Sequence, residues 1–312
     1  MQRLVSDIGG TNARFALVGD DGWPKNENTL KTKDFPGVVE AADTYLDGRS
    51  VDGVVLVVAG PVEEDRIALT NCPWAFSLDG TKTAMGVKRL IAINDFVAQA
   101  LSIPRLDASD CEKLGGGEAL DDRAIAVIGP GTGLGVAGLL KTDGIYRPIP
   151  TEGGHVAFAP RDETEDAVLG LLRARFGHVS NERLLSGPGL VNLALALANI
   201  RDAELSAESP ADIVSKADEE ACPICIEAIE RFCDLLGAAA GDLALTYGAR
   251  GGVYLTGGMV SHLGRHFDTA RVMSAFVDKG RFRAYLDAIP VMRVRRTNTG
   301  LIGAAAAAMQ LG

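Results

Sequence analysis

The chain has 312 residues, a formal charge of −10 and a pI near 5.0, which excludes the clustered Lys and Arg surface that nucleic-acid binding needs. With 47% hydrophobic and 23% charged residues it can bury an ordinary core and does not read as disordered, and its length suits two domains. The longest uncharged stretch, Ala124 to Leu140, holds five glycines and a proline and falls short of the ~20 apolar residues of a membrane-spanning helix.

In chain order, Arg3 to Ser6 and Ala13 to Val18 read as strands around a glycine loop, Asp7-Ile8-Gly9-Gly10-Thr11-Asn12. Asp7 and Arg14 interrupt the apolar run that a secretory signal requires, so no export is implied. A helix is predicted over Val38 to Leu46. Val54 to Ala59 is a continuous β-branched run suited to a strand buried on both faces. Leu90 to Ile93 reads as another buried strand, followed by Asn94-Asp95-Phe96 and a helix over Val97 to Ile103; carboxyl ends of strands are where open α/β sheets hold ligands.

From Ala124 the pattern repeats. Ala124 to Ile128 leads into a second glycine loop, Gly129-Pro130-Gly131-Thr132-Gly133-Leu134-Gly135, and Val136 to Leu140 follows it. A helix over Glu165 to Phe176 has Thr164 as N-cap, acids in its first turn, Arg173 and Arg175 in its last and Gly177 beyond. Glu182 opens a further helix capped by Ser180. Helices follow at Gly189 to Ala198 and after Pro223, then a strand over Gly252 to Thr256, a Gly257-Gly258 turn, a solvated strand carrying Arg293, Arg295 and Arg296, and an alanine-rich helix, Gly303 to Met309.

Glycine lacks the Cβ that keeps a main chain away from an anion, so backbone N–H groups in such loops can converge on phosphate oxygens. Two loops point to one nucleotide held between two lobes. Asp7, beside the first, can hold Mg²⁺ directly or through water. Gly133-Leu134-Gly135-Val136-Ala137-Gly138 also satisfies GxGxxG, with Glu152 downstream, but a dinucleotide fold needs a helix at once after the glycines, and the run from Val136 is too short. A hairpin is the better reading. Asp95 can accept a proton from an attacking hydroxyl while Asn94 orients the substrate; helix capping is the alternative for either residue. Glu152-Gly153-Gly154-His155 places a carboxylate and an imidazole where both can bond the hydroxyls of a polyol. Metal ligation by His155 lacks a ligand set. Glu182 reads in isolation as a solvated first-turn acid.

Five cysteines in a chain of this size give no disulfide framework, and Cys222-x-x-Cys225 with Cys233 reads as structural thiols at the start of a helix. His262 and His266 share a helical spacing and, without a nearby acidic partner, read as surface residues.

In this order and spacing, Asp7 to Arg14, Ile93 to Phe96, Gly131 to Gly135, Glu152 to His155, Gly177 to Ser180, Ser186 to Gly189 and Gly257-Gly258 resemble the bacterial glucokinase family, of the hexokinase, actin and Hsp70 type of fold. The resemblance covers nearly the whole chain. It implies an α/β protein of two lobes with duplicated ribonuclease-H-like topology, mixed sheets flanked by helices and an active site in the interlobe cleft. The expected lobes are 1–105 with 296–312, and 106–295. It implies ATP-dependent phosphorylation of the 6-hydroxyl of glucose, with Asp95 as base and sugar contacts from Asn94, Glu152, His155 and Glu182. Nucleotide phosphates would be met by Ser6, Asp7, Ile8, Gly9, Gly10 and Thr11 on one side and Gly131, Thr132 and Gly133 on the other, with Gly257 and Gly258 near the adenosine. Mg²⁺ near Asp7, a cytoplasmic location and a homodimer are implied as well. Another hexose as acceptor, or a sugar-binding protein without catalysis, are the alternatives. Ser6 and Pro130 stand where family members often have glycine and alanine, and the zinc motif of the related repressor group is absent.

Overall fold

The computed structural model describes residues 1–60, 62, 65–69, 72–219 and 221–311. The chain divides into two compact units: Met1–Ser109 with Tyr146–Pro150 and Arg296–Gly312, and Asp110–Ile145 with Thr151–Arg295. Gly312 itself lies outside the described residues.

The first unit begins with strands β1 (Arg3–Ile8), β2 (Asn12–Val18) and β3 (Pro24–Lys31), followed by helix α1 (Val38–Leu46) and strand β4 (Gly53–Val58). A short ribbon, β5 (Arg66–Ala68) with β6 (Ala75–Ser77), precedes α2 (Leu78–Ala84), β7 (Arg89–Asn94) and α3 (Asp95–Ser102). The sheet runs β3-β2-β1-β4-β7. β1 and β2 form the predicted hairpin, antiparallel, while β4 lies parallel to β1 and to β7. Every residue of β4 is buried, as its β-branched run requires of a strand covered on both faces. β7, expected to be buried, is only half-buried because it forms the sheet's edge. β3 was not predicted: its residues, Pro-Lys-Asn-Glu-Asn-Thr-Leu-Lys, are almost all polar, and it owes its place to pairing with β2 at the other edge.

The second unit contains β8 (Cys111–Gly115), β9 (Ile125–Pro130), β10 (Leu134–Thr142), the two end residues of β11 (Ile145–Thr151), whose Tyr146–Pro150 count with the first unit, α4 (Glu163–Phe176), α5 (Gly187–Ile200), α6 (Pro210–Glu219) and α7 (Pro223–Tyr247). Then follow β12 (Val253–Leu255), α8 (Gly258–His262), α9 (Thr269–Val277), α10 (Arg283–Asp287) and β13 (Val291–Val294). The sheet order is β11-β10-β9-β12-β13-β8. β9 and β10 are antiparallel, and β12 is parallel to both β9 and β13. The sequence hairpin, parallel, parallel therefore occurs once in each unit. No helix follows the second glycine loop, which removes the dinucleotide-fold reading. The last helix, α11 (Thr299–Met309), returns to the first unit, where Gly303 lies so close to the Ala98 carbonyl of α3 that no Cβ fits between them.

Four local expectations change. The N-cap of α4 is Asp162, whose carboxylate accepts from Glu165 N at 2.8 Å, rather than Thr164; Glu165 in turn accepts from Arg161 N, closing a reciprocal cap. Ser180 makes no capping bond, and Glu182 lies in a single 3₁₀ turn, Asn181–Arg183. β13 ends at Val294, so Arg293 alone of the three arginines lies on it. His266 does have an acidic partner, Asp218 Oδ1, 2.7 Å from its Nε2, while His262 is exposed. Cys222 stands at the N-terminal boundary of α7 with no side-chain capping bond, and Cys225 and Cys233 are buried in the helix; burial pushes the Cys233 thiol up to about 11, as befits a structural thiol.

Candidate functional site

The first glycine loop closes the β1–β2 hairpin, with Gly9 N donating to the Asn12 carbonyl at 2.9 Å. Thr32, just past β3, fastens it: its N–H donates to Thr11 O at 3.1 Å and its hydroxyl to Gly10 O at 2.9 Å. Asp7 and Arg14 face each other across the hairpin, and Arg14 Nη1 lies 3.2 Å from Asp7 Oδ2. Burial pushes the Asp7 carboxyl above the usual carboxylate range, and the charge and hydrogen bond of Arg14 oppose that rise. A Cβ on Gly300, in the first turn of α11, would stand 3.0 Å from the same carboxyl group, so the glycine lets a helix N-terminus approach it. Asp7 is thus a carboxylate beside the loop, paired with one arginine and closely approached by the first turn of α11.

Ser6 and Ile8 differ from the residues around them. Both are fully buried on the face of β1 that packs with Leu4, Phe15 and Leu56, and neither side chain reaches the loop. The Ser6 hydroxyl has no hydrogen-bond partner among the described residues. An unpaired buried hydroxyl costs about 1–3 kcal/mol, so Ser6→Ala is expected to stabilise the chain by about 1 kcal/mol, read as a higher denaturant midpoint. A lower midpoint would show that the hydroxyl is satisfied in solution.

Asn94 and Asp95 emerge at the same end of the sheet as this loop. Ile8 is level with Val58 on β4, and Val58 with Asn94 on β7, which puts the two about 10 Å apart across two strand spacings. Asn94 Oδ1 accepts from Phe96 N at 2.8 Å and Val97 N at 3.3 Å, and its Nδ2 donates to Gly60 O at 3.0 Å. Capping is therefore real, and it leaves the second N–H of Nδ2 outside these three bonds. Asp95, at the first position of α3, is half-buried and accepts from Phe96 N at 3.0 Å.

In the second unit three segments meet at Leu134. Glu182 Oε2 accepts from Leu134 N at 2.9 Å, and its Oε1 stands 4.0 Å from His155 Nδ1. Gly154 packs against the Leu134 carbonyl, where a Cβ would lie only 1.9 Å from the oxygen, and a Cβ on Gly133 would lie 2.5 Å from Glu182 Oε2. Glu152 and His155 bracket the 3₁₀ turn Gly153–His155, both exposed, with His155 N donating to Glu152 O at 3.0 Å. The strap from His178 to Asn181 steadies that turn: His178 Nε2 bonds the His155 carbonyl at 3.1 Å, and Asn181 N donates to Val156 O at 3.0 Å. Glu152, His155 and Glu182 are thus held in one assembly with the second glycine loop, which no spacing in the sequence indicated for Glu182.

That loop is closed by Gly131 N donating to Gly133 O at 2.8 Å, and Gly187 N at the start of α5 donates to Gly131 O at 2.8 Å. A Cβ at Gly131 would meet nothing within 4 Å, so packing does not demand glycine there. Gly257 does face such a demand: its φ is +88°, and a Cβ would lie 2.4 Å from Pro130 O. Gly257 and Gly258 accordingly sit against the second loop, with Gly258 opening α8.

Two neighbours of the first loop were missed in the sequence. Arg14 could have been found by counting outward from the glycine pair, since a hairpin turn makes Asp7 and Arg14 cross-strand partners. Lys31, whose Nζ donates to Asn12 Oδ1 at 2.9 Å, could not, because its strand carries no apolar signal.

The Glucokinase family model matches residues 4–311. The glucokinase of Aromatoleum aromaticum is 44% identical over 310 residues, which cover 98% of this chain and 94% of its own. That of Chromobacterium violaceum is 44% identical over 307 residues, 97% of this chain and 88% of its own. The crystal structure of a glucokinase from an Antarctic psychrotroph superposes with a TM-score of 0.91 at 36% identity, covering 99% of both chains. With agreement of this length in sequence and fold, the chain belongs to the glucokinase family.

Proposed function

We propose that this protein is a glucokinase that transfers a phosphoryl group from ATP to the 6-hydroxyl of glucose, with Asp95 as the general base. The observation that carries the reading is the near-full-length similarity to glucokinases at 44% identity. The site geometry supports the roles. Asp95, at the carboxyl end of β7, would take the hydroxyl proton as the bond to phosphorus develops. Asn94, Glu152, His155 and Glu182 would hold the sugar hydroxyls, and the exposure of Glu152 and His155 leaves both open to a ligand. The two glycine loops would meet the phosphates, with Gly257 and Gly258 near the adenosine; Ser6 and Ile8 would contribute main chain only.

The first loop fits a Mg²⁺–nucleotide. Magnesium is held by one or two carboxylates together with substrate phosphates and water, not by a cage of protein ligands, and Asp7 supplies a carboxylate of that kind beside the loop. Asp7 would hold the ion, through water. When bound, the ion neutralises charge on the phosphates. In this proposal the two compact units are the lobes of an actin-like ATPase and the substrates lie in the cleft between them. The shared strand order of the two sheets supports it. Among the described residues no helix is long and apolar enough to cross a membrane. A cytoplasmic homodimer belongs to the same proposal.

ADP release measured across a panel of hexoses with ATP and Mg²⁺ is expected to be fastest with glucose. Glucose binding without ADP release would instead identify a sugar-binding protein without catalysis, and faster release with mannose, glucosamine or N-acetylglucosamine would reassign the acceptor.

A further inference from the structure

The guanidinium of Arg14, beside the first glycine loop, is matched by a carboxylate, since Arg14 and Asp7 pair at 3.2 Å. One strand further out, the β2–β3 register sets Lys31 directly opposite Asn12. Directly opposed residues of an antiparallel pair project to the same face with Cβ atoms about 5 Å apart, so Lys31 stands beside the loop whatever rotamer it takes. Its Nζ donates to the Asn12 side-chain oxygen, a neutral acceptor, at 2.9 Å, and no carboxylate pairs with it among the described residues. Thr32 bonds the loop twice, so the end of β3 is fixed to the loop by backbone and side chain alike.

A lysine ammonium is a compact charge on a flexible stem, and an anionic phosphate oxygen attracts it more strongly than the neutral amide oxygen of Asn12 does. We infer that Lys31 is a nucleotide-phosphate contact, which leaves the Asn12 amide for a phosphate oxygen of ATP and favours the triphosphate over nucleotides with less charge. This rests on the reading of Gly9 to Thr11 as a phosphate loop. It adds to that loop a cation that Asp7 does not already neutralise.

The test is equilibrium binding of ATP, its non-hydrolysable β,γ-imido analogue, AMP and adenosine by calorimetry, on wild type, Lys31→Met and Lys31→Arg, with melting temperatures for all three. Lys31→Met is expected to weaken ATP and the analogue about tenfold, with adenosine and glucose affinities unchanged and with recovery in Lys31→Arg. Lys31→Gln serves as a second neutral variant if Lys31→Met melts early. An ATP affinity within twofold of wild type, or an equal loss for adenosine, overturns the inference. A wild type that binds ATP yet releases no ADP with glucose overturns the kinase reading instead, and the Lys31 comparison is still decided by binding.

Discussion

Replacing Asp95 by Asn is expected to lower turnover by about 10²–10⁴-fold, the usual contribution of a positioned general base, while glucose is still bound. The substitution is nearly isosteric. The Asn side chain keeps an oxygen that can accept from Phe96 N, as Asp95 Oδ1 does at 3.0 Å, and the cap of α3 is supplied by Asn94 in any case. Fold and helix register should therefore be kept, leaving the lost proton acceptor as the main change. Steady-state ADP release reports the turnover. A glucose titration followed by the intrinsic fluorescence of Trp23 and Trp74 reports the binding. Turnover close to wild type would remove Asp95 from the role of base, and a parallel loss of glucose affinity would make it a sugar contact first.

Gly154→Ala should do comparable damage by a different route. The added Cβ would sit 1.9 Å from the Leu134 carbonyl oxygen, and both partners are backbone, so no side chain can swing aside. To reach ordinary contact the turn and β10 must separate by more than an ångström. That movement carries His155 with the turn and strains the 2.9 Å bond by which Glu182 holds Leu134 N. Misplacement on that scale can cost about 100-fold where several groups must converge on one ligand, and the overpacking itself costs about 1–3 kcal/mol. We expect a glucose dissociation constant about two orders of magnitude higher, together with a lower melting temperature. Gly131→Ala is the control, because its Cβ would enter open space and should leave melting unchanged. If Gly154→Ala bound glucose normally, the turn would not be what positions the sugar contacts.

What the sequence revealed and what it concealed follow from the range of each interaction. Both hairpins were legible because a pair of glycines between apolar runs is a local signal, and β4 was legible because a strand buried on both faces needs no partner to be recognised. The edge position of β7 was not legible, since its apolar run resembles that of β4 and only the sheet order exposes it. β3 was invisible for the opposite reason: its polar residues satisfy one sheet edge, and its pairing comes from β2. The cap of α4 was misplaced by two residues because Asp162 and Thr164 are both good capping residues, and the reciprocal bonds of Arg161, Asp162 and Glu165 decide between them. Glu182 and His266 show the same limit at longer range. Their partners, Leu134 and Asp218, lie far off in the chain, so neither the ligand role implied for Glu182 nor the Asp218 contact of His266 could be derived from neighbouring residues.

The return of α11 to the first unit has a consequence for how the protein is made. Its residues Gly300 and Gly303 pack against Asp7 and against the Ala98 carbonyl, about 200 residues earlier in the case of Ala98, and contacts of such sequence separation form late because their loop closure is slow. During synthesis, β1, β4 and α3 leave the ribosome long before α11 exists, and the apolar face it will cover stays open while the whole second unit is translated and folds. The second unit can complete itself as it emerges, whereas the first waits for α11. The surroundings of Asp7 are thereby tied to α11, so a chain in which α11 has not yet docked carries an Asp7 that has not received its helix terminus.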